Sequence, residues 1–491
     1  MIRNLSTVAV LCVFVWGMTA PGSAQGETLT LERALEIAFE NSPDILQTEM
    51  TLTQRRELLK AQQAALKSNL SLRLNPFSYS KNRTFDDLVN EWNSTKTKSS
   101  QTTFTVSQPI KETDGTLQLI NQLSWRESSS EYQDNRINKS FNNNLYLSYT
   151  QPLFTYNRTK MELSELELSL ENALYTYTIQ KLSLENQVTQ SFYSLYQAKM
   201  ALDISKEELK NQQLSHDIIS RKVEAGLSAR EELFQAELNL ANSELNVQNQ
   251  EESLDNMFDD FKVLLGISIY DEIDVETSVT YNKVDVDLQR ALDNALDERL
   301  ELRQSEISIQ NAMHELTRTA AQNEFSGDLT LTYGLIGTDE DIGNIYDSPT
   351  EQNEVGVTFN IPLWDWGENK SRVKASQIDI DRQKLLLEDE RTGIILAIRR
   401  AHRSLKKLET QISIAEQNVR NAQMTYDINL ERYENGDLTS MDLNLYQTQL
   451  SESKNGLVET ILNYKLALLD MKILSLWDFE SNKQVLPETL E

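Results

Sequence analysis

Two periodicities take turns along the chain. Leu70, Leu72 and Leu74 alternate with Asn69, Ser71 and Arg73, the period of two that puts apolar side chains on one face of a strand and polar ones on the other. Phe104 and Val106 between Thr103, Thr105 and Ser107 read the same way. So do Leu117, Leu119, Leu123 and Trp125, with Asn121 interrupting, and then Leu145, Leu147 and Tyr149. Later, Leu329, Leu331, Tyr333 and Leu335 form one such run, and Val355, Val357, Phe359 and Ile361 another. Six antiparallel strands are predicted, four in the first half of the chain and two in the second. Pro109 to Gly115 reads as a short turn, whereas 82–100, 128–140 and 337–350 read as longer polar loops.

Between these runs the period changes to that of helices. From about 157 to 225 and from about 367 to 435 there is no proline and hardly a breaker, so each segment extends to roughly 100 Å at about 1.5 Å per residue. Ile398, Leu405, Ile412, Val419, Tyr426 and Tyr433 recur every seven residues with Ala401, Leu408, Ala415 and Ala422 interleaved, which is a coiled-coil face. Gly226 and Gly436 interrupt the pattern and suit turns that need positive φ. Helices then run back, from about 231 to 265 and 441 to 474.

The two stretches are copies. Leu31-Glu32-Arg33-Ala34-Leu35 returns as Leu288-Gln289-Arg290-Ala291-Leu292, 257 positions later. Pro152-Leu153-Phe154 returns as Pro362-Leu363-Trp364 at an offset of 210, which also carries Val188, Leu195, Leu202, Gly226, Leu233 and Leu264 onto Ile398, Leu405, Ile412, Gly436, Leu443 and Leu474. One ungapped offset held over so long a span marks a tandem duplication. The first copy is longer by the difference, 47 residues, inserted where its strands lie, about what one hairpin with its loop requires. The fold class is therefore read as mixed α and β: duplicated long helical hairpins with inserted antiparallel strands, about six per subunit, expected to form a shared transmembrane β-barrel, a soluble sandwich with one wet face being the other arrangement that such alternation allows. Short turns on one side and long loops on the other are the habit of such barrels, and six strands leave two edges that lipid cannot satisfy unless other subunits close the sheet.

Composition adds a destination. Arg3, an apolar core from Val8 to Trp16, and Gly22-Ser23-Ala24 read as a secretory signal peptide, too short in its core to span a bilayer. Mean hydropathy is −0.49, which would fit a soluble exported protein, but barrel strands hide from hydropathy because they alternate. The net charge of −28 argues against nucleic acid. Cys12 is the sole cysteine and falls within the signal, so disulfides and a thiol nucleophile are excluded from the mature chain. His216, His314 and His402 have no metal-ligand spacing, and no arrangement of nucleophile and base is present; neither a cofactor, a metal nor an enzymatic reaction is expected. The chain divides into a signal peptide (1–24), a first repeat (25–266; strands within 69–153, helices about 157–225 and 231–265), an acidic linker (267–286), a second repeat (287–474; strands within 327–363, helices about 367–435 and 441–474) and a C-terminal tail (475–491).

The segment from Leu31 to Ile45 with Asn41-Ser42-Pro43, the Gln151-Pro152-Leu153-Phe154 junction, Arg432-Tyr433-Glu434-Asn435-Gly436 followed by Asp442-Leu443, and Leu264-Leu265-Gly266 occur in that order. In this arrangement the chain resembles the TolC family of outer-membrane efflux proteins over nearly its whole mature length. The resemblance implies a homotrimer whose strands close one barrel in the lipid of the cell outer membrane, continued into the periplasm as a helical tunnel. A periplasmic adaptor and an inner-membrane transporter would deliver small molecules or polypeptides to it. A periplasmic coiled-coil adaptor without a pore is the alternative, and the alternating runs at 329–335 and 355–361 speak against it.

The resemblance also implies a gate. Ala225-Gly226-Leu227 and Asn435-Gly436-Asp437 match the family's adaptor-contacting tips, Glu232 and Asp442 stand where acids ring the tunnel entrance, and Tyr433 stands where a tyrosine latches hairpins shut. Two positions depart from the pattern: Leu438 replaces an arginine, and Leu445 replaces a second entrance acid. Without any such role, Glu232 and Asp442 would simply favour the N-terminal dipoles of the descending helices.

Overall fold

The computed structural model describes residues 27–87, 90–130, 136–276 and 281–485; the signal segment lies outside them, as does the end of the C-terminal tail. The elements are, in order, β1 (Glu27–Leu29), α1 (Leu31–Asn41), α2 (Pro43–Ala65), β2 (Asn69–Asp86), β3 (Glu91–Ile110), β4 (Gly115–Ser130), β5 (Ile137–Leu153), α3 (Arg158–Glu224) and α4 (Arg230–Leu265). They continue with β6 (Ile273–Val275), α5 (Leu288–Glu298), α6 (Leu300–Ala321), β7 (Ser326–Asp339), β8 (Thr350–Asn360), α7 (Glu368–Asn435), α8 (Ser440–Ser475), β9 (Trp477–Asp478) and β10 (Lys483–Gln484). The stretch read as a linker thus holds β6, and the tail holds β9 and β10.

Two compact units emerge. The first takes Met1–Pro43, Leu184–Lys283 and Leu405–Leu469; the second takes Asp44–Ser183, Val284–Ser404 and Asp470–Glu491.

The first unit is helical. Along α3, Val188, Leu195 and Leu202 are buried, and along α7 so are Leu405, Ile412, Tyr426 and Tyr433, in step with the seven-residue repeat read from the sequence. Phe192 of α3 meets Phe261 of α4 edge to face, ring centres 6.3 Å apart. β1 and β6 pair in parallel, Leu29 opposite Val275. Gly266, with φ +71°, ends α4 where a Cβ would sit 2.4 Å from the Asn41 carbonyl oxygen of α1, so only glycine satisfies both the left-handed turn and the approach.

The second unit carries one six-stranded antiparallel sheet in the order β2-β3-β4-β5-β7-β8. The strand count agrees with the alternation, but the strands run further than it showed. β2 continues to Asp86 and β3 begins at Glu91, so most of the segment 82–100 lies in paired strands and not in the long polar loop expected. Beyond Leu74 the outward positions of β2 stop being aliphatic, which conceals the strand from a search for apolar alternation. On β2, two residues, Pro76 and Phe77, oppose the single Ser100 in a bulge between Asn75 and Ser78.

Register assembles the faces. Leu70 stands opposite Val106, Val106 opposite Leu119, Leu119 opposite Leu147, and Leu147 opposite Tyr333. A neighbouring row joins Leu117, Tyr149, Leu331 and Val355. Leu70, Leu119, Leu147, Leu331, Tyr333 and Val355 on this apolar face are exposed, while the opposite face carries Ser71, Thr105, Gln118, Ser148 and Thr332. From Leu117 to Trp125 the band covers about 26 Å at about 3.3 Å per residue, close to the roughly 25 Å apolar belt of outer-membrane barrels. Both long helices leave the sheet with their first N–H groups bonded: Asp114 accepts from Thr159 N at 3.0 Å, and Asp365 from Asn369 N at 2.9 Å.

Gly266→Ala is expected to lower stability by at least about 2 kcal/mol, combining left-handed strain with displacement of a backbone oxygen. Gly226→Ala, at φ +74° in open space, incurs strain alone, about 1 kcal/mol. Thermal unfolding followed by circular dichroism checks the order; equal midpoints for the two variants would contradict it.

Candidate functional site

The two glycine turns have one geometry. At the end of α3, Leu227 N donates to Lys222 O at 2.8 Å and Gly226 N to Val223 O at 3.0 Å; at the end of α7, Asp437 N donates to Arg432 O at 2.9 Å and Gly436 N to Tyr433 O at 3.1 Å. With Gly226 at φ +74° and Gly436 at φ +90°, both are Schellman caps, in which the last carbonyls are satisfied by residues past a left-handed glycine. Asn435 is the last residue of α7, and Ala225 and Leu227 flank Gly226, Leu227 strongly exposed.

Between the turns lies a cleft of about 420 Å³ lined by residues that include Lys222, Leu227, Glu232, Tyr433, Gly436, Asp437, Leu438 and Asp442. Tyr433, Glu232 and Asp442, far apart in sequence, are thereby brought to one place. Tyr433 is 1 % exposed, and its hydroxyl donates to Ser215 O of α3 at 3.2 Å. It packs in a cluster with Tyr426, Leu443 and Leu450. Glu232 accepts from Ser228 Oγ at 2.9 Å. Asp442 accepts from Thr439 Oγ1 at 2.7 Å and returns its own N–H to that oxygen at 3.2 Å, a reciprocal box that starts α8. The helix-start role of these acids is therefore present, and so is their place on the cleft.

Lys222 is the residue that sequence reading missed. Its Nζ donates to the Tyr433 carbonyl at 2.6 Å and lies 5.1 Å from the centre of the Tyr433 ring. A cation from the last turn of α3 thus sits on the C-terminal carbonyls of α7, where the helix dipole favours it. Leu438 also lines the cleft, so the site has a cation after all, drawn from the other hairpin. The offset of 210 was the available signal: it pairs Lys222 with Arg432, whose guanidinium instead reaches Asn429 at 3.2 Å. Leu445 is exposed and offers no acid.

Burial pushes the Tyr433 phenol above its ordinary range, hydrogen bonds with Ser215 and Ser440 work against that, and the charge of Glu232 adds to it. Burial, with Asp427 and Glu207 nearby, pushes Tyr426 up to about 12.

Comparison with known proteins bears on the whole chain. The family model described as outer membrane efflux protein matches residues 120–266 and 291–472. The matched residues begin within β4, so the β2–β3 hairpin falls outside them. Outer membrane protein TolC of Salmonella enteritidis is 22% identical over 352 residues, 70% of this chain and 71% of that protein. Among solved structures, the Campylobacter jejuni CmeC outer membrane channel superposes with a TM-score of 0.69 at 15% identity, covering 93% of this chain and 87% of that one. The outer membrane protein VceC of Vibrio cholerae does so at 0.66 and 15%, covering 91% and 96%.

Both buried phenols keep their protons above the unfolded value of about 10, so the unfolded chain binds fewer protons and stability falls as pH rises through that range. The contribution is complete below about pH 10 and lost toward about 12 for Tyr426. Tyr426→Phe should flatten the alkaline decline, measured by circular dichroism with tyrosinate absorbance in parallel; superimposable pH profiles would contradict the assignment.

Proposed function

Since this chain belongs to the outer membrane efflux protein family, we propose that three copies close one barrel and that the paired turns form a periplasmic entrance gated by Tyr433, Lys222, Glu232 and Asp442. That it is an export channel of the outer membrane follows from the family; the assembly and the gate are the proposal. Six strands per chain is an even number, so β8 of one copy meets β2 of the next antiparallel, as every other pair in the sheet does. Three copies then give a barrel of eighteen strands, with its apolar face to lipid and its Ser, Thr and Gln face to water.

The cleft between the two turns is the observation that carries the gate. Ala225, Gly226 and Leu227, with Asn435, Gly436 and Asp437, present the two tips to a periplasmic adaptor, which links the channel to an inner-membrane transporter. In the closed state Lys222 holds the end of α7 through one charge-assisted hydrogen bond and the face of a buried ring. An adaptor or transporter that binds the open tip better shifts the population by releasing this contact. The negative charges of Glu232 and Asp442 then favour cations at the mouth. No reaction is assigned to the chain: its work is conduction, and selection among substrates belongs to the transporter.

Single-channel recording in planar bilayers checks both parts. Lys222→Gln should raise the open fraction about fivefold, the loss of roughly 1 kcal/mol from one charged hydrogen bond, while Lys222→Arg should leave it near wild type. Asp442→Ala should raise the concentration of multivalent cation needed for block from the tip side roughly tenfold, about 1.4 kcal/mol. A soluble monomer that makes no pore would defeat the channel reading; unchanged block would remove Asp442 from the entrance.

A further inference from the structure

The hairpin β2–β3 makes up most of the excess of the first repeat, and its outward face changes character beyond the apolar band. Trp125 stands opposite Phe141, and one rung further out Lys98 stands opposite Glu127 and Glu127 opposite Lys139. Tyr79 pairs with Lys98, Lys81 with Lys96 and Arg83 with Ser94. The bulge between Asn75 and Ser78 shifts the phase of β2, so that Lys81 and Arg83 share the face of Leu70, Leu72 and Leu74. Five cations, Lys81, Arg83, Lys96, Lys98 and Lys139, therefore gather just outside an aromatic row on the lipid-facing side, with Glu127 among them at 2.9 Å from Lys98 and 3.9 Å from Lys139. The inner face at the same height carries Ser80, Asn82, Thr95 and Thr97. The acids of this hairpin, Asp86, Asp87 and Glu91, lie at its turn.

In a chain of net charge −28, this arrangement works against itself. Like charges directly opposite on neighbouring strands destabilise the pair, and Lys81 faces Lys96 across such a pair while Lys98 follows two residues on. An anion held among them would reverse the sign of that term. The site lies just beyond the apolar belt, between the row of Trp125 and Phe141 and the outward pair of Phe85 with Trp92, over whose ring Arg83 lies at 5.3 Å; aromatic rings among cations mark the level of lipid headgroups. Phosphate matches both its charge and its hydrogen-bonding demand.

We propose that this outward patch binds the phosphate-bearing headgroup of an outer-leaflet glycolipid, and that the additional hairpin exists to present it. The proposal rests on the outer-membrane channel reading above. The occupant is a lipid and not a free anion, because the cations continue an exposed apolar face on which acyl chains lie.

The test uses the full-length channel purified in mild detergent, with bis-phosphorylated lipid A as probe and native mass spectrometry as readout. The variant Lys81→Gln, Arg83→Gln, Lys96→Gln, Lys98→Gln should bind the probe at least tenfold more weakly than wild type, and both should bind dephosphorylated lipid A equally. Arginine at all four positions should restore binding. If the fourfold glutamine variant does not assemble, Lys96→Gln with Lys98→Gln should still weaken binding severalfold. Equal affinity of wild type and variant for the probe, or displacement of the probe by millimolar inorganic phosphate, would overturn the proposal. The conductance of the wild-type channel tests the underlying reading separately.

Discussion

A peptide N–H or C=O left without a partner in hydrocarbon costs several kcal/mol, and that penalty organises this chain. Among the described residues no helix is long and apolar enough to cross a membrane; the sheet presents an exposed apolar band on strands whose backbone groups are satisfied strand to strand. The same penalty acts at β2 and β8, whose outer edges have no neighbour within the sheet. The helices answer a different demand. They bury a seven-residue stripe against one another and carry charge elsewhere, so their sequences can be acidic and mean hydropathy can stay low without any loss of membrane affinity by the strands.

Duplication explains why two tips share a backbone and differ in side chains. Both turns need a left-handed residue and both have glycine, and this demand is local and identical in the two copies. What sits on the turn is free to diverge. Tyr433 corresponds to Val223, and Ser440 to Arg230. The copies have specialised so that one supplies the buried ring and the other supplies the cation that covers it. A pair of interchangeable hairpins would offer no such division.

The long helices, the repeat and the number of strands were legible in the sequence because each is a matter of period, and period survives without knowledge of neighbours. Glu232 and Asp442 could be placed near the tips because glycine fixes the turns and the offset pairs the two acids, whereas Tyr433, whose counterpart is Val223, was singled out by the family resemblance alone. Lys222 was not, since its partner is a carbonyl 211 residues away, and a backbone acceptor leaves no trace in composition. The outer halves of β2 and β3 were missed for a related reason: past the aliphatic band, a strand polar on both faces alternates lysine with threonine, which looks like a loop.

Pro76 and Phe77 standing against the lone Ser100 act as a phase shifter. Every outward residue of β2 before them is even-numbered and every one after them odd-numbered. Were β2 to keep every residue and run on here without the bulge, Ser78, Ser80, Asn82 and Thr84 would turn to the lipid while Lys81 and Arg83 would turn inward. In a closed ring that change would be made once in each copy, lining the outer mouth with positive charge. The bulge at this one place therefore decides whether this hairpin's cations meet the membrane or the permeating solute.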